Sequence, residues 1–143
     1  MTGERKHETV SGTEESRSVI QGLYNAVMAH DDAAYAAALH PELRVSSAPY
    51  LPHGGPDGTV EQWQRMLASV APVLDINGLE VVELLADGDK VSATARVKLL
   101  SSEETVLFCE NWTVRDGRAY RMRVYCYDPA PLLARLPKQS AAL

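Results

Sequence analysis

Near Leu79 the spacing of apolar residues changes, and that change constrains the fold more than any other feature of the chain. Before it, apolar residues recur every three or four positions; after it, every second position. The first period buries one face of a helix and the second buries one face of a strand. Ile20, Leu23, Tyr24, Val27 and Met28 form the first helical stripe. His30-Asp31-Asp32 interrupts it, and Asp31 or Asp32 suits the cap of a short Ala-rich helix that must stop near His40, before Pro41. Leu43 to Ser47 reads as a short strand. Ala48 to Gly58 holds three prolines and three glycines, which predicts a shaped loop. Val60, Trp63, Leu67, Val70 and Leu74 form one side of a third helix. Capping-box pairs, Ser11 with Glu14 and Thr59 with Gln62, mark where the first and third helices begin.

After the change, Leu79 to Ala86 reads as a strand that ends at the Asp87-Gly88-Asp89 turn. Val91 to Leu99, Thr105 to Val114 and Arg118 to Tyr127 follow as longer strands. Asp128-Pro129 ends the sheet, and the segment PLLARL adds a helical turn. Helices first and strands afterwards predict an α+β fold, with three N-terminal helices packed on one face of a curved antiparallel sheet. The organisation is a single domain over 13–136, a disordered start over 1–12 and a flexible tail over 137–143.

The chain has 143 residues, enough for one sizeable core, and 45% of them are apolar. A net charge of -5 and no basic run argue against a nucleic-acid partner. No apolar run is long enough to span a membrane, and the polar start MTGERKHETVSGTEES lacks a signal-peptide core. Cys109 and Cys126 make no metal-binding spacing with the histidines, so reduced thiols in the cytoplasm are expected. No phosphate loop or Ser-His-Asp pattern appears, and neither a metal nor an organic cofactor is expected.

One strand breaks its own pattern. Along VLFCENWTV, the alternate residues Val106, Phe108, Trp112 and Val114 are apolar, but Glu110 stands among them. The hairpin that follows decides what surrounds it. A three-residue loop pairing Val114 with Arg118 puts Tyr120, Met122, Val124 and Cys126 on the Glu110 face. A two-residue turn at Asp116-Gly117 puts Arg121 and Arg123 there instead, so the longer loop is expected. An ionised carboxylate among apolar neighbours is costly, so Glu110 needs a donor or a wet cavity, or its pKa rises toward the range useful for proton transfer.

Three segments carry a family resemblance: LYNAVMAHDDAAYAAALHPELRV, the loop YLPHGG with the helix after it, and ENWTVRDGRAYRMRVYCYDP. Over roughly Ser18 to Pro129 the chain resembles the nuclear transport factor 2-like superfamily, in its SnoaL-like and ketosteroid-isomerase-like branch. The resemblance implies a cone-shaped sheet whose helices enclose an apolar pocket, and chemistry without a cofactor. Tyr24 matches the first-helix tyrosine that serves as oxyanion donor in ketosteroid isomerases, and Glu110 the strand acid beside it. The isomerase base falls near Ser47 or Ala48, neither of them acidic. In SnoaL-type polyketide cyclases a strand acid acts as base, a role Glu110 suits.

The expected activity is therefore proton transfer on an apolar small molecule, as in a polyketide-type cyclase, an isomerase or a dehydratase (a lyase). Natural-product biosynthesis is the setting the resemblance implies. Glu110, Tyr24 and His53 are the candidate catalytic residues. Trp63, Phe108, Trp112, Met122, Val124 and Cys126 are the candidate substrate-binding ones. His53 is chosen because it titrates near neutral pH and sits in the loop expected to cap the pocket. The alternative is a non-catalytic ligand-binding dimer of the same fold. An epoxide-opening hydrolase ranks lower, because it needs paired inward carboxylates. Leu107, Cys109, Asn111, Tyr125 and Tyr127 mix with arginines on the outer face, which predicts a homodimer through that face.

Overall fold

The computed structural model describes residues 12–137. The expected disordered start and most of the expected tail lie outside that range, as does Ser11. Helix α1 is Thr13–Met28 and begins at Gly12, which provides no side-chain cap. Its apolar stripe is buried at Ile20, Leu23 and Tyr24, while Met28 at the end reaches solvent. Helix α2 is Asp32–Ala37, and the Asp31 carboxylate accepts from Ala34 N at 3.0 Å to cap it. Helix α3 is Val60–Val70 and carries the complete Thr59–Gln62 capping box. Trp63, Met66 and Val70 are its buried face. Leu74, expected on this helix, instead opens a strand after a 3₁₀ turn over Ala71–Val73.

Six strands follow one another across a single sheet in the order β2-β1-β6-β5-β4-β3. They are β1 (Leu39–Ser47), β2 (Gly55–Gly58), β3 (Leu74–Asp87), β4 (Lys90–Leu99), β5 (Thr105–Arg115) and β6 (Arg118–Cys126). A short helix α4, Ala130–Leu133, closes the described chain. Strand β1 starts four residues before the expected Leu43 and runs through Pro41; an irregular register between Leu39 and Arg44 accommodates it. The loop expected over Ala48 to Gly58 ends as β2, an edge strand antiparallel to β1. The sheet is antiparallel except where β1 runs parallel to β6. Irregular registers between Asp75 and Glu80 and between Val81 and Glu83 interrupt the long strand β3. Such bulges add local bend and twist, which helps an open sheet curl around its helices.

The β5–β6 hairpin resolves the register differently from the sequence expectation. Its turn is the two-residue one: Arg115 pairs with Arg118, and Asp116 and Gly117 both take left-handed φ values of 55° and 71°. One residue later the register shifts, with Val114 opposite Ala119 but Thr113 opposite Arg121. Tyr120 is the extra residue. This bulge returns Met122, Val124 and Cys126 to the face of Trp112, Glu110 and Phe108, and keeps Arg121 and Arg123 exposed. Tyr120 itself leaves the inner face. The Arg115 and Arg121 guanidiniums lie 4.2 Å and 3.9 Å from its ring centre, and His40 packs edge-on.

The core lies between the helices and the inner face of the sheet. Ile20 and Leu23 of α1 and Trp63 of α3 meet Leu43, Val91, Ala93, Trp112 and Met122 there. A second cluster joins Val97, Leu99 and Val106 to Leu132 of α4. Strand β4 alternates buried and half-buried residues without a break from Val91 to Leu99. Emptying one of these sites, as in Leu43→Ala, costs about 2–5 kcal/mol.

Candidate active site

Helix α1 and strand β5 bring Tyr24 and Glu110 together from opposite sides of the core. The Tyr24 hydroxyl donates to Glu110 Oε1 at 2.5 Å, and Trp112 Nε1 donates to the Tyr24 oxygen at 2.9 Å. The Tyr24 and Trp112 rings stand edge to face, 6.4 Å apart. Alternation along β5 explains the contact, because Glu110 and Trp112 are two residues apart and share the inner face.

Glu110 is 7% exposed, and among the described residues no cation pairs with it. Burial pushes its pKa up to about 7, while the Tyr24 hydrogen bond pulls the other way. Tyr24 is pushed far above the usual phenol range, first by burial and then by the Glu110 charge. At neutral pH, then, Glu110 exchanges its proton and Tyr24 keeps its own.

Glu110 faces a cavity of about 100 Å³. Tyr24, Tyr35 and Glu110 are its polar wall. Phe108 of β5 and Leu74, Ile76 and Leu79 of β3 supply apolar lining. A wider groove of about 450 Å³ lies outside the sheet among Arg44, Asp57, Arg121 and Arg123. It is not lined by Glu110, and its charged groups stand in solvent. Among the described residues no three His, Cys, Asp or Glu side chains are placed to hold a metal ion.

The other sequence candidates are placed unequally. Phe108 lines the cavity. Trp112, Trp63 and Met122 are buried behind it, each indole tied to a tyrosine that does line it: Trp112 to Tyr24, and Trp63 Nε1 to the Tyr35 hydroxyl at 2.9 Å. Val124 and Cys126 are half-buried and contribute no cavity lining. Burial, then the charges of Asp128 and Glu110, push the Cys126 thiol up. His53 is exposed on a turn at φ 60° and does not line the cavity; Leu51 is the residue of that loop that packs on the core. Asp128 accepts from Ala130 N at 3.1 Å at the start of α4. Tyr35, Leu74, Ile76 and Leu79 were absent from the sequence candidates. Tyr35 sits in an alanine run with no periodic partner, and the β3 residues lie before or at the period change.

The model of the SnoaL-like domain matches residues 20–122. The chain belongs to the SnoaL-like domain family. No curated protein matches it. Solved structures share the nuclear transport factor 2-like fold across nearly their whole lengths. Bal32a, from a soil-derived mobile gene cassette, is 13% identical over 87% of this chain and 98% of its own, with a TM-score of 0.71. TerC, crystallised with polyporic acid, is 23% identical over 84% and 98%, with a TM-score of 0.67. IdmH of Streptomyces antibioticus, a candidate polyketide cyclase, is 19% identical over 83% and 96%, with a TM-score of 0.67. In this SnoaL-like domain, Ser47 and Ala48 occupy the end of β1 and the residue after it, and Glu110 is the one buried carboxylate among the described residues.

Proposed function

We propose that this SnoaL-like domain is a cofactor-independent enzyme that moves a proton on an apolar small molecule, as a polyketide-type cyclase, isomerase or dehydratase does. One observation carries the reading: Glu110 is buried without a cation, faces a cavity, and titrates at about 7. A carboxylate with that pKa takes a proton from carbon and, once protonated, returns it elsewhere, with both forms populated at neutral pH. Tyr24 orients the carboxylate and steadies its charged form. His53, exposed and off the cavity wall, is given no step. The candidate polyketide cyclase IdmH and the polyporic acid complex of TerC support a small organic substrate.

The cavity of about 100 Å³ is below the ~300 Å³ at which ligand pockets usually begin. It takes the reacting edge of a substrate, and the remainder lies at the mouth. That size favours a second reading, a small-ligand-binding domain without turnover. An epoxide-opening hydrolase lacks its second buried acid among the described residues. In either leading reading the protein acts as a homodimer through the outer sheet face, where Leu107, Tyr125 and Tyr127 are exposed. The half-buried free thiols Cys109 and Cys126 suit the cytoplasm.

The test is deuterium exchange into 2-indanone, an apolar ketone whose hydrogens are acidified by both carbonyl and ring. Wild-type protein is expected to speed exchange at neutral pH, and Glu110→Gln to slow it at least ~100-fold, the scale of one general acid or base. Equal rates with and without the Glu110 carboxyl would reject acid/base catalysis.

A further inference from the structure

Two tyrosines line the Glu110 cavity, and they differ in one respect. Tyr24 accepts from Trp112 and gives its proton to Glu110. Tyr35, on α2, accepts from Trp63 in the same way, at 2.9 Å, but among the described residues its own proton has no acceptor. A phenol has one proton to donate. That of Tyr24 is committed to the carboxylate; that of Tyr35 is free. Tyr35 is also close enough to Glu110 to feel its charge, and burial with that charge keeps its hydroxyl protonated.

We infer that Tyr35, and not Tyr24, is the hydrogen-bond donor for the substrate's oxygen, so that the cavity selects ketones and enols that place their oxygen at Tyr35 and the adjacent carbon at Glu110. The assignment rests on the acid/base reading of Glu110. In the step, the Glu110 carboxylate takes a proton from the carbon beside the carbonyl. The C–H electron pair becomes the carbon–carbon double bond of an enolate, and the carbonyl π pair moves onto oxygen. The negative charge thus leaves the carboxylate and arrives at the oxygen that Tyr35 holds. A donor fixed at the place where charge develops stabilises the transition state more than the ground state. Trp63 is a positioning residue. Its N–H occupies one lone pair of the Tyr35 oxygen, limits rotation of the hydroxyl, and polarises it as a stronger donor.

The infrared carbonyl band of bound 2-indanone reads this contact directly, whether or not any proton is transferred. In the wild-type protein the band is expected at lower frequency than in an apolar solvent. In Tyr35→Phe it returns toward the solvent position, and affinity for 2-indanone falls about tenfold, the scale of one neutral hydrogen bond. Affinity for 2-methyleneindane, which has the same shape without the oxygen, stays unchanged. Trp63→Phe gives an intermediate band. Should Tyr35→Phe misfold because the Trp63 indole is left unpaired, the double variant Tyr35→Phe/Trp63→Phe removes both partners and takes its place. Glu110→Gln is expected to slow deuterium exchange at least ~100-fold and keep the shifted band. A band that does not move when Tyr35 is removed overturns the inference, even if exchange still depends on Glu110. Failure of 2-indanone to bind, or equal affinity for the ketone and its carbon analogue in the wild-type protein, overturns it too. A Tyr35-dependent band without any exchange upholds the donor and rejects only the acid/base reading.

Discussion

Replacing Glu110 by glutamine distinguishes a cavity acid from a structural one by the sign of its effect on stability. Burial lifts the Glu110 pKa from its ordinary 4.5 to about 7 in the fold. The folded state therefore binds this proton more tightly than the unfolded chain does. Between 4.5 and about 7, unfolding releases a proton, so stability falls as pH rises through that window and is level above it. The gap from 4.5 to about 7 is worth about 3 kcal/mol. Glutamine has no proton to lose, and its amide oxygen keeps the bond from Tyr24. Near pH ~4 acid and amide are both neutral, and the two proteins are expected to be of similar stability. By pH ~8 the variant should be the more stable, by up to ~3 kcal/mol. Urea unfolding of both proteins across the pH range checks this, since the difference between them cancels every other titrating group. A variant that is less stable at the alkaline end would refute the reasoning, because it would mean that a buried cation had lost its partner. A difference that stays flat with pH would mean that water reaches Glu110 in the folded state.

Tyr24→Phe removes a bond that lowers the Glu110 pKa, so Glu110 should titrate above about 7, as read by carboxyl carbon resonances. The same variant leaves the Trp112 indole unpaired and should cost about 1–3 kcal/mol in urea unfolding. His53→Gly relieves a left-handed φ and should add up to ~1 kcal/mol of stability. It should leave exchange on 2-indanone as in the wild type; lost exchange would return His53 to the reaction. Sedimentation should find a dimer at micromolar concentration, and Tyr125→Glu on the outer face, where Tyr125 is 53% exposed, should give monomers. A wild-type monomer would end that proposal.

Much of the fold was legible because each element buries one face. The apolar stripes of α1 and α3 and the alternation of β4 follow from burial period alone, and both the Asp31 cap and the Thr59–Gln62 box are local chemistry. Elements whose burial is uneven were not legible. Strand β3 begins at Leu74, before the period change, because its first residues pass bulges that break the alternation. Strand β1 extends back to Leu39 through a proline, and β2 is GPDG, a sequence with no strand propensity that exists only as an edge on β1. The hairpin carries the same lesson in reverse. The argument that arginines stay outside was sound, but it was met by a bulge at Tyr120 and not by a longer turn. Parity constrains which residues face inward and leaves open how the backbone achieves it.

The candidate site was half legible for a related reason. Glu110 stood out as a charge inside an apolar alternation, and Tyr24 lay on the helical stripe that covers it. Both belong to regular elements whose inward face can be counted. Tyr35 belongs to a six-residue helix in which no residue is fully buried, so no period points to it. Trp63 was legible as an inward residue but not as the donor to Tyr35, since that bond joins α2 to α3 across sequence that no local rule connects. Under the proposed acid/base reading, the two Trp–Tyr units divide the work a proton-transfer cavity requires. An acid that must gain and lose a proton near neutrality needs burial to raise its pKa and one donor to restrain that rise, and Tyr24 is that donor. A donor so occupied is unavailable to the substrate's oxygen. A cavity that transfers a proton at Glu110 therefore needs a second hydroxyl held in the same way with its proton unspent, and Tyr35 is the one that the fold supplies.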